Sequence, residues 1–169
     1  MFETAEEMLA LQALLDRSHG RGGGHLGFIV TPERRLSAEQ VVTYLQGVKH
    51  VSFGTVTSKG EPFVSPLDSL FIHGRFWVGT SGSAVKAKHV ARQPAVSLCH
   101  VVGDDIGIWV HGRVRTLREG DPDVAEYERI AIDVYGSSPF SWGEGNIIMP
   151  VEPRAMFAYA VKPELFPAT

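Results

Sequence analysis

The stretch FWVGTSGSAVKAKHVARQP, residues 76–94, joins a β-rich run to a helical one through Thr80, Ser81, Ser83 and Lys86. Ser81 or Ser83 is placed to cap the helix, whose first N–H groups lack intrahelical acceptors and carry the positive end of its dipole. Lys86 falls in that first turn, where a cation is disfavoured unless an anion lies beside it. Hydroxyls, free amides and a lysine at one helix start read as a phosphate cradle. Serine caps with a solvated lysine are common, so it is the position after a series of hairpins that turns this reading toward a ligand.

That series begins at Val51. VSFGTVT, PFVSPLDSLFI and FWVGTS are short β-rich runs separated by SKGE and HGR, and Lys59-Gly60 and His73-Gly74 suit tight turns with positive φ. Beyond a helix over 83–92, AVSLCHVV and IGIWVHGRVRTL flank a Gly103-Asp104-Asp105 turn. Asp121 and Pro122 mark a further helix start, Asp121 as N-cap, with the helix running to about Tyr135. After the loop GSSPFSWGEG, NIIMPVE and RAMFAYAV read as two last strands. Many strands with few inserted helices predict an α+β fold, an antiparallel β-barrel of six to seven strands with flanking helices.

Two helices precede the barrel. Thr4 with Glu7, and Ser37 with Gln40, have the spacing of reciprocal capping boxes, each followed by an apolar face. The first helix is expected to end near Ser18. Residues 19–28, HGRGGGHLGF, hold five glycines in ten residues and predict a flexible crossing or a lid; with no Gly-Lys-Ser/Thr after them they are not a nucleotide-binding P-loop. The whole reads as a single domain over 1–169, with residues 1–36 as an N-terminal helical extension.

Composition bounds the function. With 44% hydrophobic and 21% charged residues among 169, the chain can bury a sizeable core, and a net charge of −3 with dispersed basic residues argues against nucleic acid. Cys99 is the lone cysteine, so no intrachain disulfide forms and a reducing compartment is implied. The acidic start at Glu3, Glu6 and Glu7 and the absence of a membrane-length apolar run lead us to expect a cytoplasmic protein without a membrane segment. The seven histidines show no HxH or HxxxH spacing, so no metal is expected. His100 and His111 fall on neighbouring strands, where a cross-strand pair or a haem ligand is one reading and structural histidines the commoner one. Trp77, Trp109 and Cys99 are expected in the core; Asp68, the odd charge in an apolar strand, faces solvent or an ion pair.

The succession Gly54-Thr55-Val56, Gly60-Glu61-Pro62, Val64-Ser65-Pro66, Trp77-Val78-Gly79-Thr80, Ser83 through Lys86 and Gln93 through Leu98 resembles the pyridoxamine 5'-phosphate oxidase family, the FMN-binding split barrel. The likeness is best over about residues 40–118. It implies FMN as cofactor, with its phosphate on Thr80, Ser81, Ser83 and Lys86 and its ring along the backbone of Val64, Ser65 and Pro66. It also implies a homodimer with both sites at the subunit interface and a flavin-dependent oxidoreductase acting on a small molecule. Trp142, in PFSWGEG, would stack on flavin or substrate, or anchor its loop. The family's basic positions are Val85 and Phe63 here, and a ring-contacting glutamine is replaced by Gly107, which implies a looser cofactor grip. The Arg-x-His substrate motif has no counterpart in VEPRAMFAYAVKPELFPAT, so vitamin oxidation is not expected. Relatives of this reduced kind also use a deazaflavin coenzyme, for whose anionic tail Lys86, Lys88, Arg92 and Arg21 are candidates, or haem; a non-enzymatic flavin or haem carrier is the third possibility.

Overall fold

Strands β1 (Lys49–Val56), β2 (Pro62–Ile72), β3 (Arg75–Ser81), β4 (Ala95–Val102), β5 (Ile106–Val114) and β6 (Asn146–Ala160) close into an antiparallel barrel in the order β1-β2-β3-β6-β5-β4. This is a computed structural model describing residues 1–166, so 167–169 of the expected domain, and of the terminal stretch without the Arg-x-His motif, lie outside the described residues. The hairpins turn where glycine allows it: Gly60 has φ 84°, and His73 and Gly74 have φ 53° and 71°, the positive pair that a two-residue turn between twisted strands demands.

NIIMPVE and RAMFAYAV are one strand, not two. The β5–β6 register shifts between His111 and Gly112, whose partners are Ala155 and Pro153, so Arg154 is the extra residue of a bulge. Proline is tolerated there because the ladder is already interrupted. A Cβ at Gly112 would lie 2.3 Å from the Glu152 carbonyl oxygen, so the close approach at the bulge requires glycine. The barrel therefore has six strands.

Among the described residues five α-helices flank it: α1 (Ala5–Arg21), α2 (Gly24–Ile29), α3 (Ala38–Tyr44), α4 (Val85–Arg92) and α5 (Ala125–Tyr135). Both capping boxes form, at Thr4 with Glu7 and at Ser37 with Gln40. Helix α1 runs past its expected end because Ser18 is buried: its hydroxyl donates to the Leu14 carbonyl and accepts from the Met156 N–H, docking the helix on β6. The glycine-rich segment is likewise not a plain crossing, since Gly24–Ile29 coils into α2. Asp121 does not cap α5. A 3₁₀ turn, Pro122–Val124, intervenes, and the Asp121 carboxylate accepts from the Arg118 N–H instead.

The core has two parts. One fills the barrel with Phe53, Phe76, Ile108, Met149 and Met156 and continues onto Leu11, Leu14 and Leu15 of α1 and Val41 and Val42 of α3. The other lies outside the barrel wall, where Tyr127, Ile130 and Ala131 of α5 pack on Leu70, Ile72, Trp77 and Ile148. Trp77 is buried as expected. Trp109 and Cys99 are only half-buried; they sit opposite one another across β4 and β5, where Trp109 stacks on Phe157 of β6. No helix among the described residues is long and apolar enough to cross a membrane.

Candidate functional site

The barrel wall opens at one place. Strands β2 and β3 pair over only four positions, Ser69↔Val78 to Ile72↔Arg75, while β2 stays on β1 down to Pro62 and β3 stays on β6 to Ser81. Beyond Ser69 and Val78 the two strands part. Beyond that point the facing edges of the two strands are no longer joined to each other by a ladder.

A cleft of about 350 Å³ occupies this opening. Pro66, Leu67 and Asp68 of β2 form one lip, Gly79, Thr80 and Ser81 of β3 the other; His50, Tyr127, Tyr135, Trp142 and the start of β6 complete it. Its position follows from local chemistry: α5, buried through Tyr127 against Trp77 in a stacked pair, presents Tyr135 to the cleft, and the loop after α5 brings Trp142. That loop is tied to the turn after β3. The Gly82 N–H donates to the Gly145 carbonyl at 2.9 Å, and a Cβ on Gly82 would lie 2.6 Å from the same oxygen, so only glycine lets the two loops meet this closely.

The residues singled out from sequence fall into three groups. Pro66, Thr80, Ser81 and Trp142 line the cleft together. Ser83 and Lys86 stand beyond it: Ser83 is linked through its hydroxyl to that of Ser81 at 2.8 Å, and Lys86 is half-buried in the first turn of α4. Val64 is exposed and Ser65 buried, and neither side chain lines the cleft, although their backbone belongs to the parted segment of β2. The expected cap is corrected by the structure. Helix α4 begins at Val85 with Ala84 as N-cap and no side-chain cap, because the Ser81 hydroxyl accepts instead from the Ser83 N–H. The first amides of α4 are thus left without a side-chain acceptor, and Lys86 makes no hydrogen bond or ion pair among the described residues.

Trp142 is anchored and yet accessible. Its Nε1–H donates to the Ser137 hydroxyl at 2.7 Å and its ring meets Tyr135 edge-on, while 53% of it remains exposed. The anchoring of its loop is thus seen directly. The phenol of Tyr135 is pushed up to about 12, by burial first and by the charge of Asp68 second. Asp68 and His50, directly opposite on β2 and β1, form an ion pair at 3.3 Å at the mouth of the cleft. Neither stands out in the sequence as a site residue, although counting back from the 57–61 turn puts residue 50 opposite residue 68.

His100 and His111 do not pair with one another. His100 stands opposite Ile108, with its ring on the Tyr44 hydroxyl at 2.9 Å and the His50 carbonyl at 2.8 Å; His111 stands opposite Ser97 and bonds its hydroxyl at 2.7 Å. Among the described residues no group of three or more His, Cys, Asp or Glu side chains is arranged to hold a metal.

The structure defines a class of small antiparallel barrels whose wall parts between two strands, here with the hydroxyls of Thr80 and Ser81 on the lip of the opening. The sequence matches the model of the pyridoxamine 5'-phosphate oxidase family over residues 37–158, and the chain belongs to that family. No curated protein matches it. Among solved structures, the conserved hypothetical protein Rv2991 from Mycobacterium tuberculosis superposes with a TM-score of 0.67 at 14% identity, covering 82% of this chain and 93% of that one. An F420 reductase superposes at 0.53 with 21% identity, over 66% of this chain and 91% of its own. A FAD-binding protein from Mesorhizobium loti gives 0.58 at 18% identity, over 74% and 93%. At these identities the likeness is one of fold.

Proposed function

We propose that this protein is an FMN-binding oxidoreductase acting on a small molecule, with its cofactor at the split between β2 and β3. One observation carries the reading: β2 and β3 part next to the hydroxyls of Thr80 and Ser81, and the helix that follows them carries in its first turn a half-buried lysine, Lys86, with no hydrogen bond or ion pair among the described residues. The flavin phosphate would be held by Lys86 and the hydroxyls of Thr80, Ser81 and Ser83, and the ring by the backbone of Val64, Ser65 and Pro66, with Trp142 on the opposite wall. A bound flavin supplies the hydride or electron transfer; the chain orients it and shapes the space for substrate. Exposed Phe63, Val64 and Val85 surround this region, which favours a second copy covering it and a homodimer with two interfacial sites. Phe63 and Val85 stand where the family has basic residues, so the phosphate grip rests on Lys86.

The test is the purified protein's absorbance, followed by titration of apo-protein with FMN. Lys86→Ala is expected to weaken FMN binding by about 1.5–3 kcal/mol, the scale of a hydrogen bond to a charged group; unchanged affinity removes the cradle. A monomer in sedimentation at micromolar concentration removes the interfacial site. The second reading is a deazaflavin coenzyme, favoured by Lys86, Lys88 and Arg92 lying on one short helix. Arg21, the fourth candidate, ends α1, which packs chiefly on β6 and α3 rather than on α4. A colourless protein that binds a deazaflavin and not FMN decides for that reading.

A further inference from the structure

The cleft has a second end that the cradle does not use. Of the side chains lining it, the one carboxylate is Asp68, and among the described residues no lysine or arginine lines it at all. His50 contacts Asp68, the phenol of Tyr135 feels its charge, and Trp142 lines the same cleft, so this part of the lining combines a negative charge with aromatic walls. Asp68 is 58% exposed and its imidazole partner 85%, which makes their contact a weak surface pair that an incoming ligand can displace. Trp142 holds its ring in place through Ser137 and Tyr135 while leaving half its surface open. A carboxylate beside preorganised aromatic rings recognises a positive charge on a carbon framework, through Coulomb attraction and the negative ring faces. The same carboxylate repels a phosphate or carboxylate placed there, and the one neighbouring group among the described residues that can carry positive charge, His50, is already engaged with it.

We infer that the Asp68–Tyr135–Trp142 end of the cleft is a substrate site for a compact organic cation, such as a quaternary ammonium or an N-alkylated heterocycle, and that it rejects anionic substrates. This deepens the flavin reading by placing the substrate beyond the ring along β2. The recognition itself uses only this chain's side chains, so it is testable without cofactor.

The experiment is calorimetric titration of the full-length cofactor-free protein with three probes of similar shape: benzyltrimethylammonium, benzyl alcohol and phenylacetate. The cation is expected to bind at least about fivefold more tightly than the alcohol, with phenylacetate weakest. Asp68→Asn, a nearly isosteric change at an exposed position, is expected to bring the cation down to the affinity of the alcohol. Phenylacetate binding as tightly as the cation, no saturable binding of the cation below about 10 mM, or an Asp68→Asn variant of unchanged preference would each overturn the proposal. The two readings fail separately. FMN binding with no cation preference overturns this inference alone, whereas cation preference without FMN binding overturns the cofactor assignment alone.

Discussion

Two sides of one barrel are built differently. Strands β4, β5 and β6 are zipped over eight and nine paired positions, whereas β2 and β3 hold together over four and then separate. On the zipped side the facing backbone groups pair within the sheet except at the β5–β6 bulge, and the interior is filled by side chains such as Ile108, Val110, Met156 and Ala158. The split side leaves such groups facing a cleft and relies on loops and on α5 to keep its shape. Stability is concentrated on one side, and the capacity to take a ligand on the other.

The largest expected effect breaks the zipped side. Ile108 is fully buried in the barrel interior, and Ile108→Ala is expected to cost about 3 kcal/mol, the lost transfer energy together with the cavity left behind. Leu67→Ala, on the lip of the split and only partly buried, is expected to cost about 1 kcal/mol. Urea unfolding of the two variants with unchanged slope measures the contrast. Equal losses at the two positions would show that the lip is as much a part of the packed core as the interior, and the comparison would collapse.

A smaller effect sharpens it. The turn after β3 meets the Trp142 loop at Gly82, where an added Cβ would meet a backbone oxygen rather than a flexible side chain. Gly82→Ala therefore has to push the two loops apart, at an expected cost of about 1–2 kcal/mol. Because Thr80 and Ser81 adjoin that turn, FMN affinity is expected to fall with it, while Gly103→Ala in the β4–β5 turn on the zipped side should lower stability through its positive φ and leave FMN affinity alone. A Gly82→Ala variant as stable as the parent would mean that the loops are not held by this contact.

How far this arrangement could be read from sequence differs with the kind of signal. The hairpin turns were legible because Gly60 and His73-Gly74 need backbone conformations few residues adopt, and the capping boxes because each is a local exchange of two hydrogen bonds. The single strand β6 was not, since Pro153 reads as a break unless the opposing Gly112 is known to make room for a bulge. The same limit applies to the site. Thr80 and Ser81 announce themselves by their place before a helix, but Tyr135 and Trp142 reach the cleft only through the packing of Tyr127 on Trp77, a contact between residues fifty apart. The missing serine cap is a further case: the Ser81 hydroxyl accepts from the Ser83 N–H, and α4 starts only at Val85 with Ala84 as its N-cap.

The smallest expected effect concerns what holds α5, the wall of the split, in place. His73 sits at the tip of the short β2–β3 ladder with Nδ1 2.9 Å from Glu7 of α1 and Nε2 3.0 Å from Glu126 of α5. Both nitrogens must donate, so the clasp needs the imidazolium; a neutral ring would turn a lone pair toward one carboxylate. Partial burial works against the charged form, but the hydrogen bonds and charges of Glu7 and Glu126 outweigh it and raise the His73 pKa above its ordinary value. A pKa raised on folding stabilises fully below the unfolded value, near 6.5, and that contribution fades as pH rises through the higher folded value. Because all three side chains are partly exposed, the gain is expected to be about 1 kcal/mol or less. Asparagine tolerates the positive φ of this position, so His73→Asn removes the charge without straining the turn. Unfolding free energies at pH 6 and pH 9 should therefore fall further in the parent than in the variant, and an equal fall in both would show that α5 is held by Tyr127, Ile130 and Ala131 alone.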